Sequence, residues 1–177
     1  MAIDFQHLEN VLNHAKVLAR IPPSWNQYPY KNTVKLEILF ALDRNGVTEA
    51  GMALRLTALA DLPDCGVMAQ LEYEPPGRKR TPVQRLDWRP LHNHNNNGHG
   101  PNTLKFFLQT GTHLHDFQEN KKLGERAFQP NDNLPVAIPQ DPEPASFDDL
   151  LAFLRDRFNI TNAKEVPTPP WTPRLDV

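Results

Sequence analysis

The chain has 177 residues, 39% of them hydrophobic and 23% charged, with a formal net charge of −2. That is the length and composition of about one globular domain, which excludes a disordered chain and a strongly charged polyelectrolyte. The 18 prolines against 8 glycines exclude an all-helical bundle, because each interior proline removes a helical hydrogen bond and adds a clash. No apolar run is longer than Ile38 to Leu42, which falls far short of the roughly 20 residues of a membrane-spanning helix. The segment from Met1 to Arg20 lacks the apolar stretch of a secretory leader, and the lone Cys65 can form neither an internal disulfide nor a multi-thiolate zinc site. These features lead us to expect a cytoplasmic protein without membrane contact.

In chain order, Phe5, Leu8, Leu12, Ala15 and Ala19 share a stripe at the helical period, predicting an amphipathic helix with Asp4 as N-cap and Pro22 and Pro23 as its end. His7 and His14 fall on the opposite, solvated face. From Thr33 the period becomes two: Val34, Leu36, Ile38 and Phe40 predict a strand, Asp43-Arg44-Asn45-Gly46 a tight hairpin turn, and Met52, Leu54 and Leu56 the returning strand. Further strands are predicted over 66–74 and 83–89, joined by a solvated tip at Pro75 to Pro82. In the second of these, Val83, Arg85, Asp87 and Arg89 alternate with Gln84, Leu86 and Trp88, and the latter face is the better core candidate.

One or two more strands are predicted between Thr103 and Phe117, broken near Gly111, followed by a proline-rich surface connector from Pro130 to Pro144. A second helix is then predicted, with Ser146 as its cap, Asp149 completing a capping box, a buried stripe of Phe147, Leu150, Leu151, Leu154 and Phe158, and Asn159 as its stop. Helix, antiparallel strands, helix is an α+β pattern: an antiparallel sheet of about five to six strands with the N-terminal and C-terminal helices packed on one face. We expect one domain over residues 1–162 and an extended or disordered proline-rich tail over 163–177.

Charge is distributed unevenly. Residues 78–105 hold six Lys and Arg against one Asp, while 132–156 hold six Asp and Glu against one Arg. Arg78, Lys79, Arg80, Arg85 and Arg89 therefore form a candidate phosphate-binding patch, with internal pairing against the acidic segment or simple solvation as the competing readings.

Five of the 7 histidines lie between His92 and His115, in a stretch rich in the chain's 15 asparagines. His113-Leu114-His115 is the sharpest element, because residues two apart on a strand leave from the same face roughly 6–7 Å apart and can share a metal or a substrate. With Glu119 it reads His-x-His-x-x-x-Glu, which resembles the first metal-binding motif of cupins. The chain departs from cupins in having Gly111 and Gly124 too close to the motif and no histidine after His115 for a second motif. A metal site of His113, His115 and Glu119 completed by His94, or by His92 or His99, is the corresponding expectation, with a divalent cation as cofactor. The string His92-Asn93-His94 does not reproduce the ββα nuclease unit that shares its letters. Without metal, His113 and His115 are candidate acid and base for RNA cleavage, assisted by Asp87, with Arg85 or Arg89 on the phosphate. The bland alternative is a polar loop of solvated histidines and a strand histidine bonded to Asp87 or Asp116.

The ordered features Arg85-Leu86-Asp87, the His92 to Pro101 loop, His113-x-His115-x-x-x-Glu119 and a capped C-terminal helix resemble a family of small uncharacterised bacterial proteins, over about residues 34–160. Some relatives in that family are associated with toxin–antitoxin or mobile-element loci. The resemblance implies an α+β domain and a nucleic-acid-directed toxin or defence-related role, and with the histidine cluster our leading expectation is a ribonuclease-like toxin or mobile-element effector acting on RNA or DNA. Two alternatives stand beside it: a metalloprotein using the His-x-His-x-x-x-Glu site, and a non-enzymatic interaction factor such as an antitoxin, an immunity protein or a phage inhibitor. The last would bind a protein partner, either a cognate toxin or antitoxin or a defence complex. No Walker loop, dinucleotide fingerprint or Gly-x-Ser-x-Gly elbow is present, which disfavours nucleotide-driven motors and α/β-hydrolases.

Overall fold

Two long alternating segments build the centre of the fold. In the computed structural model, which describes residues 3–19, 24–129 and 134–172, they are β3 (Thr33–Arg44) and β4 (Val47–Leu59), joined by the predicted turn with Asn45 and Gly46 both at positive φ. Strand β5 (Val67–Tyr73) and strand β6 (Thr81–Trp88) follow as a hairpin across the predicted proline-rich tip. Short strands extend both edges: β1 (Val17–Leu18) and β2 (Asn26–Tyr30) both pair with β3, while β9 (His113–His115) and β10 (Ile138–Pro139) continue beyond β6. The result is an antiparallel sheet of eight strands among the described residues. The added strands are edge pieces too short to show a period. A separate two-stranded piece pairs β7 (His94–Asn95) with β8 (Leu108–Gln109).

The α+β class holds, and one face of the sheet carries the core. Leu36, Ile38, Phe40, Leu54, Leu56, Ala69, Leu71, Leu86, Trp88 and Leu114 are buried against Leu8, Val11 and Leu12 of α1 (Phe5–Asn13) and Leu150, Leu151 and Leu154 of α3 (Phe147–Arg157). Removing this much apolar surface from water is the main stabilising term, at about 1.5–3 kcal/mol for each large side chain. The opposite face carries Glu37, Arg55, Gln70, Arg85, Asp87, His113 and His115, as the cross-strand register requires. Val83 departs from its predicted face. Leu71 opposes Gln84 but Glu72 opposes Pro82, so Val83 is the extra residue of a bulge and turns inward, fully buried.

Helix α3 has its predicted punctuation: a reciprocal capping box of Ser146 and Asp149 at the start and Asn159 in the left-handed region after its end. Helix α1 starts on the Asp4 cap as predicted but ends at Asn13, well before Pro22 and Pro23, which lie outside the described residues. Ala15 is exposed and Ala19 pairs with Ala41, so neither belongs to the helical stripe. The buried residue here is Lys16, whose ammonium donates to the carbonyls of Val11, Leu12 and His14 and so closes the helix end.

Two further expectations are corrected. The chain beyond His115 turns into a short helix, α2 (Phe117–Lys121), because Asp116 accepts hydrogen bonds from the backbone of Gln118 and Glu119. Phe117 then joins Phe5 and Phe128 in an aromatic cluster with centroids 5.4–6.3 Å apart. The predicted surface connector instead buries Leu134, Val136 and Ala137. Pro130 lies outside the described residues. Two buried asparagines make the burial feasible by acting as a neighbouring strand would. Asn120 accepts from the Val136 N–H and donates to its carbonyl, and Asn96 does the same for Ala137. The expected extended tail begins instead with a 3-10 turn, Ala163–Glu165, then runs without regular structure to Thr172 and is packed: Val166 is buried, Pro167 accepts from the Trp25 indole, and Trp171 stacks edge-on against Phe147.

Candidate functional site

The antiparallel register of β6 and β9 sets Asp87 opposite His113 and Arg85 opposite His115. All four side chains leave the face away from the helices, as the two-residue spacing requires. The β7–β8 piece folds back over them and brings His94 alongside, with ring centroids 5.4 Å from His113 and 4.7 Å from His115. Asn96 and Gln109 anchor that piece to Ala137. Gly100 allows the close approach. Its φ is +80°, and a Cβ there would lie 2.7 Å from Val136.

Each imidazole has one nitrogen committed to backbone. His113 donates from Nδ1 to the Gly111 carbonyl at 2.8 Å and His115 from Nδ1 to the Leu134 carbonyl at 2.5 Å. His94 donates from Nε2 to the Pro135 carbonyl at 3.0 Å and to Asn96 Oδ1 at 3.1 Å. A carbonyl can only accept, so these nitrogens carry hydrogens, and in a neutral ring the lone pair then sits on His94 Nδ1, His113 Nε2 or His115 Nε2. One ring nitrogen from each of the three lies within 4.8 Å of the others. Asp87 Oδ2 is 3.3 Å from His113 Nε2 and 3.2 Å from His115 Nε2. Arg85 completes the cluster, donating to His115 Nε2 at 2.7 Å and to Asp87 Oδ2 at 3.1 Å.

His113 and His115 are buried and His94 is half-buried. Burial, reinforced by the Arg85 charge and only partly opposed by Asp87, pushes the His115 imidazole down to about 4. Burial also lowers His94. For Asp87 burial acts upward, but His113 and His115, whenever their Nε2 carries a hydrogen, and the Arg85 charge outweigh it and hold the carboxyl far below the usual carboxylate range. The site at neutral pH is therefore an anionic carboxylate, a guanidinium and an imidazole, His115, that is neutral.

The structure brings together Asp87, Arg85, His94, His113 and His115 of the sequence candidates and separates the rest. Glu119 sits on α2, paired with the Lys122 ammonium at 2.5 Å, outside the histidine group; the cap at Asp116 starts a helix where the cupin-like motif needs a continuing strand. His99 lies near Glu119 beside Lys105 and Lys122, and His92 lines the cleft that Asp87 also lines but stands outside the histidine group. Arg78 and Arg80 pair with Glu125 and Glu74. Lys79 is exposed at the hairpin tip. Arg89 leaves the Asp87 face because its backbone turns left-handed (φ +46°), and it reaches Glu143 and the carbonyls of Asp64 and Ala145. That pair joins the basic stretch to the acidic one, as the internal-pairing reading expects. The Pro135 and Leu134 carbonyls and Asn96 carried no sequence signal beyond the excess of asparagine.

Compared with known proteins, the chain matches no family model, no curated sequence and no solved structure. What fold and site define is an α+β protein with a three-histidine, aspartate and arginine cluster on the open face of an antiparallel sheet. Among the described residues no helix is long and apolar enough to cross a membrane.

Proposed function

We propose that the cluster holds a divalent transition metal and that the protein is a metal-dependent phosphodiesterase acting on nucleic acid, a ribonuclease-like effector. The observation that carries the metal is the convergence of lone pairs. His113 Nε2, His115 Nε2 and Asp87 Oδ2 stand 3.2–3.3 Å apart where they meet, with their hydrogens committed elsewhere. Electron-rich atoms at that spacing repel unless a cation lies among them; Arg85 serves His115 Nε2 and Asp87 Oδ2 in this way and would swing aside for a metal, whose tetrahedral ligands at about 2.0–2.1 Å stand about 3.3 Å apart. Three imidazoles suit zinc and its first-row neighbours, whereas magnesium and calcium prefer all-oxygen shells. The backbone carbonyls behind the rings are the partners that usually fix metal-binding histidines.

A bound metal of this kind polarises a phosphoryl oxygen and acidifies water. The protein's own groups supply the rest. The Pro135, Gly111 and Leu134 carbonyls fix the three rings. Asp87 lines a neighbouring cleft and, as an anion, accepts a hydrogen bond from the attacking hydroxyl and orients it. Arg85 beside it offsets charge developing on the phosphoryl group. The near-complete burial of His113 and His115 favours holding a metal over direct proton exchange with a polymer, because an acid or base must reach the atom it serves. Nucleic acid as the substrate is supported by the resemblance carried by Arg85-Leu86-Asp87 and His113-Leu114-His115.

The test is metal analysis of untagged protein together with cleavage of a labelled RNA strand. About one equivalent of metal is expected in the wild type, and H113A/H115A should lose both metal and cleavage while keeping its circular dichroism. A folded double variant that still cleaves, or wild-type protein that takes up neither zinc, iron nor manganese, overturns the reading.

A further inference from the structure

A cleft of about 730 Å³ runs from Asp87 across the open sheet face to the β2–β3 turn, past Met68, Leu91, Lys35, Lys31 and Tyr30. That volume is in the range of ligand-binding sites. The cross-strand pairs Tyr28 with Lys35 and Tyr30 with Thr33 put these four residues on one face, and because Thr33 and Lys35 line the cleft, Tyr28 stands on the same side. Every residue of β2 is exposed, with Tyr28 at 47% and Tyr30 at 44%. The turn residue Lys31 holds its ammonium 5.4 Å from the centre of the Tyr30 ring. Lys35 has Glu37 at 3.6 Å, and Asp61, bonded to the Thr33 hydroxyl, is the other acid in the cleft besides Asp87.

Two open aromatic rings interleaved with two partly exposed ammonium groups form a recurring surface for single strands, where bases stack on the rings and phosphates meet the charges. A duplex offers phosphates but keeps its base faces stacked inside, so the tyrosines would find no partner. The arginines of 78–89 do not compete for this role, since none of Arg78, Arg80, Arg85 and Arg89 lines the cleft.

We propose that this face binds single-stranded nucleic acid, with Tyr28 and Tyr30 stacking on bases, Lys31 and Lys35 holding phosphates, and the strand led along the cleft to Asp87. The path to Asp87 rests on the phosphodiesterase reading; the binding surface does not. The test is fluorescence anisotropy with a short labelled RNA strand, its DNA counterpart and a duplex, on full-length wild type, Y28A/Y30A, K31A/K35A and the control R78A/R80A. Both cleft pairs should weaken single-strand binding by about tenfold or more. The lysine pair should also flatten the salt dependence by about 1.4 in log–log slope, at about 0.7 per phosphate contact. The control should stay near wild type. Binding of either RNA or DNA strands with this dependence supports the inference. Cleft variants that are folded and bind as wild type does, or a duplex bound as tightly as the single strand, overturn it. Metal content, measured on the same samples, separates the two proposals: strand binding without metal leaves the groove and removes the metal centre, and metal without strand binding does the reverse.

Discussion

Replacing Asn120 with alanine tests how the fold holds the site. Asn120 is fully buried, and its amide bonds both backbone groups of Val136, donating to the carbonyl at 2.8 Å and accepting from the N–H at 2.9 Å. Val136 is itself fully buried, so N120A strands one donor and one acceptor away from water. Each stranded group costs about 1–3 kcal/mol, and local relaxation recovers part of that, so about 3 kcal/mol is expected. For a domain of this size that lowers the melting temperature by about 6–12 °C. The effect should reach the histidines, because Val136 directly follows Leu134 and Pro135, whose carbonyls orient His115 and His94. On the metal-centre proposal, zinc affinity should fall too, by less than the roughly 10–100-fold seen when a group bonded directly to a metal-binding histidine is lost. Urea unfolding of the metal-free protein and zinc titration of the folded protein measure the two effects separately. A loss below about 0.5 kcal/mol would mean that water or another donor replaces the amide, and the strand-like role of Asn120 would be refuted.

Lys16 yields a pH prediction: burial, with Arg44 nearby, pushes its ammonium down to about 8 from 10.5. The unfolded chain then binds the extra proton between pH 8 and 10.5, so this group makes stability rise with pH across that window, by about 3 kcal/mol in total. Comparing wild type with K16M in urea at pH 7 and pH 10.5 should show the difference moving toward wild type by about that amount; parallel profiles would sink the assignment. Glycine positions separate strain from clash. Gly46 and Gly51 share φ near +78°, but a Cβ at Gly46 meets nothing within 4 Å while one at Gly51 meets the Glu74 carbonyl oxygen at 2.5 Å. Thermal melts should therefore show G46A costing about 1 kcal/mol and G51A about 2–5 kcal/mol, and equal losses would contradict the packing argument.

Much of the fold was legible because its central elements carry their own signals. The alternation in 34–40 and 52–57, the Asn45-Gly46 turn and the Ser146/Asp149 capping box are local patterns, and local sterics and hydrogen bonding enforce them wherever they occur. Strand pairs of two or three residues are not local. Strands β1, β9 and β10 exist because a neighbour offers backbone partners, and no period can announce an element that short. The early end of α1 belongs to the same class, since Lys16 is held by Asn159 and Thr161, far along the chain.

The candidate site divides in the same way. His113 and His115 on one face, and Arg85 with Asp87 on one face, followed from the two-residue period of a strand. The meeting of those two faces depended on the β6–β9 register, and the choice of His94 over His92, His99 or Glu119 depended on where the β7–β8 piece folds back. The amino-acid sequence by itself therefore determined which residue types were available and which side of each strand they occupy, because pleat and period act over a few residues. Only the tertiary structure decided which of them share a centre and which arginines are already paired, because those outcomes rest on contacts between segments whose separation along the chain carries no period.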